Sequence, residues 1–216
     1  TNDPISVTFT SDWHIGNPGT AHRQLRDDMR CLANHPKMYT YLGGDWADNY
    51  ITPKLQMVGQ NNVFAAGDQQ MVITLLITKP LFDTHSVIAI GSGNHNGWTA
   101  AVAGLDPMFG TFREAPQLAT REGAVLTLHV GEVSYRIFRR HRPRFSSVFS
   151  PSHAVVAEYQ RSPFDFDIGV IEHEHMSHGG DFDGKLRDNG STTRLAIRPG
   201  TYKVEDKFAD EHGYYY

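Results

Sequence analysis

Apolar residues in the first part of the chain fall into short runs that predict three β-strands. Residues 5–11 alternate between apolar and polar side chains, and the alternation stops at Asp12. Met38–Leu42 is an apolar run closed by two glycines, and residues 86–90 form a third run that ends in a Gly-Ser-Gly turn. Polar residues follow each run at once, so each strand is expected to end just before them.

Between these strands, apolar residues recur at helical spacing. Leu25, Met29 and Leu32 lie on one face of residues 21–33 and predict a helix there. Residues 55–78 carry a longer series of apolar clusters, which predicts a long helix with an interruption near Gly67. The first part of the chain therefore alternates strand and helix.

The second part of the chain is mostly strand. Residues 124–130 and 133–138 are separated by a Gly-Glu pair, a spacing typical of a β-hairpin. Residues 166–171 and 192–197 predict two more strands. This order predicts a layered α/β fold built on two packed sheets. Since no repeat, low-complexity tract or linker divides the chain, we expect one domain over residues 1–216.

Composition narrows the class of protein. The chain has 216 residues, 39% hydrophobic content and a net charge of −4, which argue against disorder and against a surface that binds long nucleic acid throughout. The lone Cys31 excludes an internal disulfide framework and a multi-cysteine zinc site, and it favours a reducing cytoplasm. No apolar run approaches the roughly 18 residues of a membrane helix, so we expect no membrane association.

Histidine is unusually frequent, with 12 copies, and several copies stand where predicted strands end. Asp12 and His14 follow the first strand, and residues i and i+2 of an extended segment point to one side, so the two could hold one cation. Asp45 and Asp48 follow the second strand in the same way, and an Asn-His pair at 94–95 follows the third. Alone, each cluster is as readily explained by turn or capping chemistry.

Two further clusters end strands in the second part of the chain. His141 follows the hairpin, and His173 and His175 follow the next strand with i, i+2 spacing. Ligand sites of α/β proteins gather at the carboxyl ends of strands. Five such ends carrying Asp, Asn or His together predict a metal site, although no single cluster does.

The motif order Asp-x-His, Gly-Asp-x-x-Asp, Gly-Asn-His, His and His-x-His resembles that of the calcineurin-like metallophosphoesterase superfamily, from Asp12 to His175. The resemblance implies a four-layer αββα sandwich, with two mixed β-sheets flanked by helices. Small phage-type phosphoesterases are the most similar in appearance, on residues 202–209 and the surroundings of His141. This resemblance extends the expected cytoplasmic location to that of a phage-infected host cell.

The resemblance also implies a role for each residue. One metal ion would be held by Asp12, His14 and His175. The other would be held by Asn94, His141 and His173. Asp45 would bridge the two, while His95 would protonate the leaving oxygen and Asp48 would orient His95. Mixed carboxylate, amide and imidazole ligands suit Mn first, with Fe, Zn or Ni as alternatives.

One departure from the family pattern bears on the site. Glu172 stands where the family usually has glycine, just before the His-x-His pair, and Glu174 adds a second carboxylate. Glycine permits backbone angles that glutamate disfavours, so a different turn is expected. The two glutamates could orient imidazoles or could repel an anionic substrate, and the sequence leaves both alternatives open.

Arg139 and Trp98 are the predicted substrate contacts. Arg139 shares the side of His141 in an extended segment, where a guanidinium could bind a phosphate; the alternative is a solvated strand end paired with surface acids. Trp98 lies in the loop after His95 and could stack on a base. The sequence thus predicts a dinuclear phosphodiesterase for single-stranded nucleic acid or nucleotides, with no particular oligomeric state. A phosphomonoesterase and a non-catalytic metal-binding scaffold are the alternatives.

Overall fold

The computed structural model describes residues 3–49, 63, 67–103, 115–121, 123–147, 149–185, 191–205 and 210–211. Within these residues the first sheet has four parallel strands in the order β1-β2-β3-β4, and the helices α1, α2 and α3 accompany it. The elements are β1 (Ser6–Thr10), α1 (His22–Asn34), β2 (Met38–Leu42), α2 (Gly67–Asp83), β3 (Val87–Gly91), α3 (Asn94–Ala103), a 3-10 turn (Pro116–Leu118) and β4 (Ala119–Thr120).

The second sheet is mixed and has five described strands in the order β5-β6-β7-β9-β8. The elements are β5 (Gly123–Val130), β6 (Val133–Arg140), α4 (His153–Arg161), β7 (Ile168–Ile171), β8 (Ser177–Lys185) and β9 (Ser191–Pro199). β5 and β6 form the predicted antiparallel hairpin, whereas β6, β7 and β9 run parallel to one another.

Three apolar clusters define four layers. Leu42 and Ile90 of the first sheet pack against Leu25 and Leu81 of α1 and α2. On the opposite face, the first sheet meets the second in a cluster of Tyr41, Ala89, Ile137 and Val170. The outer face of the second sheet packs against α4 through Phe138, Ile171, Ala196, Ala154 and Val155. Strand neighbours thus point to opposite layers, as the two-residue period requires, and the predicted αββα architecture is confirmed.

Some predicted elements differ from the structure. The described part of the first sheet is parallel rather than mixed. The helix expected at residues 55–78 overlaps α2, which is described from Gly67 to Asp83; residues 55–62 and 64–66 lie outside the described ones. α3, α4 and β8 were not predicted. No helix in the described part of the chain has the length and apolar character needed to cross a bilayer.

The topology brings the predicted strand ends together. β1, β2 and β3 run parallel in the first sheet, and β6 and β7 run parallel in the second. Their carboxyl ends meet across the two sheets, since Asp45 after β2 lies 2.9 Å from His141 after β6. The five polar clusters therefore surround one point between the sheets.

Candidate metal centre

One group of converging side chains consists of Asp12, His14 and His175, whose ligand atoms lie within 4.8 Å of one another. The Nε2 atoms of His14 and His175 face each other at 3.0 Å, and Asp12 Oδ1 lies 3.6 Å from His175 Nε2. His14 donates its Nδ1 hydrogen to Asp48 Oδ1 at 3.0 Å, which leaves the Nε2 lone pair directed into the group. Three donor atoms thus point at a common space.

A second group contains Asp12, Asp45, His141 and His173, again within 4.8 Å. His141 Nε2 faces Asp45 Oδ2 at 2.9 Å and the amide oxygen of Asn94 at 3.0 Å. Two acceptor oxygens converging on one ring nitrogen require either a hydrogen on that nitrogen or a cation between them. All seven predicted ligands are therefore brought together; Asp12 belongs to both groups, whereas Asp45 belongs only to the second.

The test of fit is the buried carboxylate of Asp12. Its Oδ2 accepts hydrogen bonds from Ser11 Oγ at 2.5 Å and from the backbone N–H of His173 at 3.1 Å. Its Oδ1 is buried with no hydrogen-bond partner in the described structure. A buried unpaired carboxylate oxygen is costly unless a cation compensates it. The orphaned oxygen and the two facing imidazole nitrogens fit a divalent metal ion.

His173 and His175 are only partly buried, and their protonation states also suit metal binding. Burial lowers the pKa of His175 to about 2, and His14 and Lys203 lower it further. Burial likewise lowers the pKa of His173 to about 4, with His141 as the next cause. Both imidazoles are therefore neutral near pH 7, which is the form that binds metal.

The ionisable groups of Asp12, Asp45 and His141 shift one another's pKa values. Burial opposes a charge on His141, but the Asp45 carboxylate raises the pKa of His141 well above its usual value. Burial alone would raise the pKa of Asp45, yet His141 and His95 hold it well below its usual value. Burial raises the pKa of Asp12 to about 6, against the effect of His141. A proton thus stands between Asp45 and His141, where a cation would replace it.

Backbone strain is concentrated on the predicted ligands. Five of them adopt positive φ angles, which non-glycine residues rarely do: Asp12 (52°), His14 (49°), Asp45 (56°), His173 (76°) and His175 (58°). Strain of this kind costs about 1–3 kcal/mol per residue and clusters at functional sites. Glu172 is absent from this set, so the left-handed turn is carried by the histidines that follow it.

Glycine is required beside the ligands by close approach. A Cβ on Gly93 would lie 2.1 Å from Asp45 Oδ1, and one on Gly44 would lie 2.8 Å from His141 Nδ1. Any larger residue at either position would displace a ligand. The glycines of the Gly-Asp and Gly-Asn motifs thus provide space for the neighbouring side chains.

His95 lies at the edge of the centre, with its Nε2 3.8 Å from Asp45 Oδ2. Its Nδ1 donates to the backbone carbonyl of Asp48, and its own carbonyl accepts from Asn49 Nδ2 at 2.9 Å. Asp48 thus contacts His95 through its backbone carbonyl, whereas its carboxylate binds His14 and Asn17. Burial lowers the pKa of His95 to about 4 despite Asp45 and Asp48, so its imidazole is neutral near pH 7 in the free protein.

Trp98 and Arg139 have different positions relative to the site. Trp98 is half-buried and its ring lies 4.0 Å from that of His95, between centroids. Arg139 is fully buried between the sheets and forms a salt bridge with Glu172 at 2.8 Å. The predicted contact of Arg139 with substrate, and its surface alternative, are therefore both contradicted, because strand β6 turns this side chain toward the other sheet.

The structure also answers the question about the two glutamates. Glu172 accepts a hydrogen bond from His141 Nδ1 at 2.9 Å, and Glu174 is paired with Arg198. Neither carboxylate is left with an uncompensated charge. The orienting alternative is thus favoured over repulsion of an anion.

Sequence reasoning missed three residues beside the centre. Thr201 donates to the backbone carbonyl of Asp12 at 2.5 Å, and the buried Lys203 follows it. Arg142 is exposed, stands next to His141 and acts electrostatically on His173. Arg142 had a detectable signal, since it adjoins a predicted ligand; Lys203 had none, because only the fold brings residues 201–205 to this site.

No protein-family model and no curated protein sequence matches the chain. Among solved structures, it is similar to vacuolar protein sorting 29 from Cryptosporidium parvum, with 17% identity and a TM-score of 0.44, over 94% of this chain and 77% of the other. A single-mutant form of Vps29 from Entamoeba histolytica gives 14% identity and a TM-score of 0.44, over 93% and 77%. Likenesses this distant carry no argument about activity, so the proposal below rests on the side chains of the site.

Proposed function

We propose that the protein is a dinuclear-metal phosphoesterase, and that its substrates are phosphodiesters of nucleic acids or nucleotides. The observation that carries the proposal is the pair of largely buried donor groups that share Asp12, with Asp45 in one of them and His95 at its edge. Two such groups side by side fit two divalent ions, for which we propose Mn first. The resemblance of the motifs to small phage-type phosphoesterases remains a prediction.

The ligands would divide between two positions. Asp12, His14 and His175 would hold one ion, while Asn94, His141 and His173 would hold the other, with Asp45 between them. When bound, a metal pair supplies Lewis acidity for the phosphoryl oxygens and lowers the pKa of a water molecule. The chain's own contribution is a rigid, buried donor set that needs little rearrangement.

His95 would handle the proton of the leaving group. Its Nδ1 hydrogen is committed to the Asp48 carbonyl, so Nε2 is the nitrogen available to a substrate. In the free protein this nitrogen is unprotonated, because burial lowers the pKa of His95. A bound phosphate anion beside it would favour the imidazolium, so protonation of His95 would accompany substrate binding and prepare it to donate to the leaving oxygen.

The cationic rim suggests an anionic substrate that extends beyond one phosphate. Arg142 and Arg144 are exposed on the segment directly after His141. Guanidinium groups bind phosphate oxygens in pairs, and this position replaces the one that we expected Arg139 to provide. The Trp98 ring, which packs against His95 at a tilt, would add a surface for a nucleobase.

The test compares a diester with a monoester. We would strip the protein with a chelator, restore Mn and measure hydrolysis of bis-p-nitrophenyl phosphate and p-nitrophenyl phosphate. His95→Ala and Asp45→Asn should each lose diester hydrolysis, and His95→Ala should still bind Mn. His129→Ala is the matched control, because His129 is exposed on the β5–β6 hairpin and bonded to Ser134.

Each outcome assigns the site. Mn-dependent diester cleavage that only the two site variants lose supports the proposal and leads to single-stranded DNA and cyclic nucleotides as substrates. A preference for the monoester would make the protein a phosphatase. Bound Mn without turnover of either ester would refute the enzyme proposal and favour a metal-binding scaffold.

A further inference from the structure

We infer that Glu172, held by Arg139, is a positioning residue that presents His141 to one of the two metal positions. The inference rests on the proposed metal centre. Asp48 plays the corresponding part for His14 at the other position. The two positions are thus supported by different carboxylates, so each can be weakened separately.

The contacts of Glu172 are numerous and short. Its Oε2 accepts hydrogen bonds from His141 Nδ1 at 2.9 Å and from the backbone N–H of Gly44 at 2.8 Å. Its Oε1 accepts from Tyr41 Oη at 2.5 Å and from Arg139 Nη2 at 2.8 Å. These partners come from both sheets and from the turn after β2, so the carboxylate is held in one position.

The charge of Glu172 determines how His141 must be oriented. Arg139 is 0% exposed and bonds both oxygens of Glu172, so the carboxylate is kept ionised although it is buried. An ionised carboxylate only accepts hydrogen bonds. His141 must therefore carry a hydrogen on Nδ1, and its Nε2 faces Asp45 and Asn94, where a metal ion would replace the proton that Nε2 shares with Asp45.

Glu174 shows that proximity alone does not produce this arrangement. It lies two residues further along, between His173 and His175, and its carboxylate is bonded to Arg198. Within the described contacts its carboxylate bonds to no imidazole. Both glutamates pair with an arginine and they lie two residues apart in the sequence. Only the carboxylate of Glu172 contacts a predicted ligand.

The experiment uses paired substitutions that remove charge without leaving an unpaired ion. Arg139→Met with Glu172→Met deletes the acceptor of His141, and Arg139→Met with Glu172→Gln restores an acceptor without its charge. Arg198→Met with Glu174→Met is the matched control. Mn binding is measured by calorimetry, and electron paramagnetic resonance distinguishes a coupled Mn pair from a single ion.

The wild-type protein should bind two Mn ions with a coupled spectrum. Removing an outer hydrogen-bond partner typically lowers metal affinity about 10- to 100-fold. The Met/Met variant should therefore lose that much affinity for one ion and show a single-ion spectrum, while the Met/Gln variant and the control should retain the pair. Wild-type binding of both ions by the Met/Met variant would overturn the inference, and so would its loss without recovery in the Met/Gln variant.

A measurement on the unaltered protein guards against variants that do not fold. In the Zn-loaded protein labelled with ¹⁵N-histidine, NMR should show the hydrogen of His141 on Nδ1, and the opposite tautomer would refute the inference. Turnover is scored separately from binding. If the protein binds two ions, loses affinity when Glu172 is replaced by Met, but hydrolyses neither ester, the proposed function alone is refuted. If it binds no metal, both the function and the inference are refuted.

Discussion

The buried pair of Glu172 and Arg139 makes a sharp prediction about stability. Both side chains are 0% exposed, and they are joined through both carboxylate oxygens. We consider Glu172→Met in the presence of a chelator, so that no metal contributes to the result. This change leaves the Arg139 charge buried without a counter-ion and deprives Tyr41, Gly44 and His141 of an acceptor.

Breaking a buried ion pair by removing one partner costs about 3–5 kcal/mol. In a chain of this size each kcal/mol corresponds to about 2–4 °C in Tm, so the expected decrease is roughly 6–20 °C. Removing both charges in Arg139→Met with Glu172→Met avoids the unpaired ion. The double variant should therefore lose less free energy of unfolding than Glu172→Met alone, although its Met side chains make fewer hydrogen bonds.

Urea denaturation followed by tryptophan fluorescence measures the effect, because Trp13 and Trp46 are fully buried and report loss of the core. Asp83→Met is the control, since Asp83 and its partner Lys79 are both more than half exposed and water screens the charge that is left on Lys79. A loss below about 1 kcal/mol for Glu172→Met would contradict the reasoning. A double variant as costly as the sum of the two single variants would contradict it as well.

Three further predictions concern metal, substrate and pH. Mn at about 100 times its Kd should stabilise the protein by ~2.7 kcal/mol per ion, and Asp45→Asn should lose most of this rise in Tm; an equal rise would contradict the role of Asp45. Arg142→Ala should lower kcat/KM for single-stranded DNA about tenfold and for bis-p-nitrophenyl phosphate far less, whereas Arg30→Ala on α1, also exposed, should change neither; equal losses on both substrates would remove Arg142 from the rim. In chelator, the unfolding free energy should fall from pH 6.5 towards 4, because burial keeps three folded imidazoles neutral that the unfolded chain protonates: His95, His173 and His175. Asp12, with its pKa raised to about 6, takes up one proton in the folded state and offsets part of this trend, so stability that stays level or rises would show the sign to be wrong.

The parts of the fold that the sequence predicted are those with a local signal. Alternation and apolar runs identified β1, β2 and β3, and helical spacing identified α1. β8 escaped because its sequence, Ser177–Lys185, is rich in glycine and aspartate, which disfavour strands. It is held by pairing with β9 along its whole length, a contact that no local pattern reveals.

The candidate ligands were predictable because their positions along the chain, together with parallel strands, place them at one edge of the fold. Each stands directly after a strand, and parallel strands present their carboxyl ends at one edge. The partners of those ligands were less predictable. Asp48 was expected to orient His95; its carboxylate bonds His14, and the turn at residues 45–49 directs its backbone carbonyl toward His95. A motif fixes which residues are near, but the backbone angles decide which atom meets which.

Arg139 was misjudged, whereas the sequence left two alternatives open for Glu172. A charged residue at a strand end is expected at the surface, and a glutamate in place of glycine is expected to disturb the turn. In the structure, β6 directs Arg139 into the space between the sheets, and the turn after β7 places Glu172 against it. Either residue alone would be a costly buried charge, but together they neutralise each other, and Glu172 Oε2 also accepts the hydrogen bond from His141 Nδ1. Glu172, in place of the glycine that the resemblance implies, is therefore explained by the buried position of Arg139. The Met and Gln variants test whether this pair positions His141.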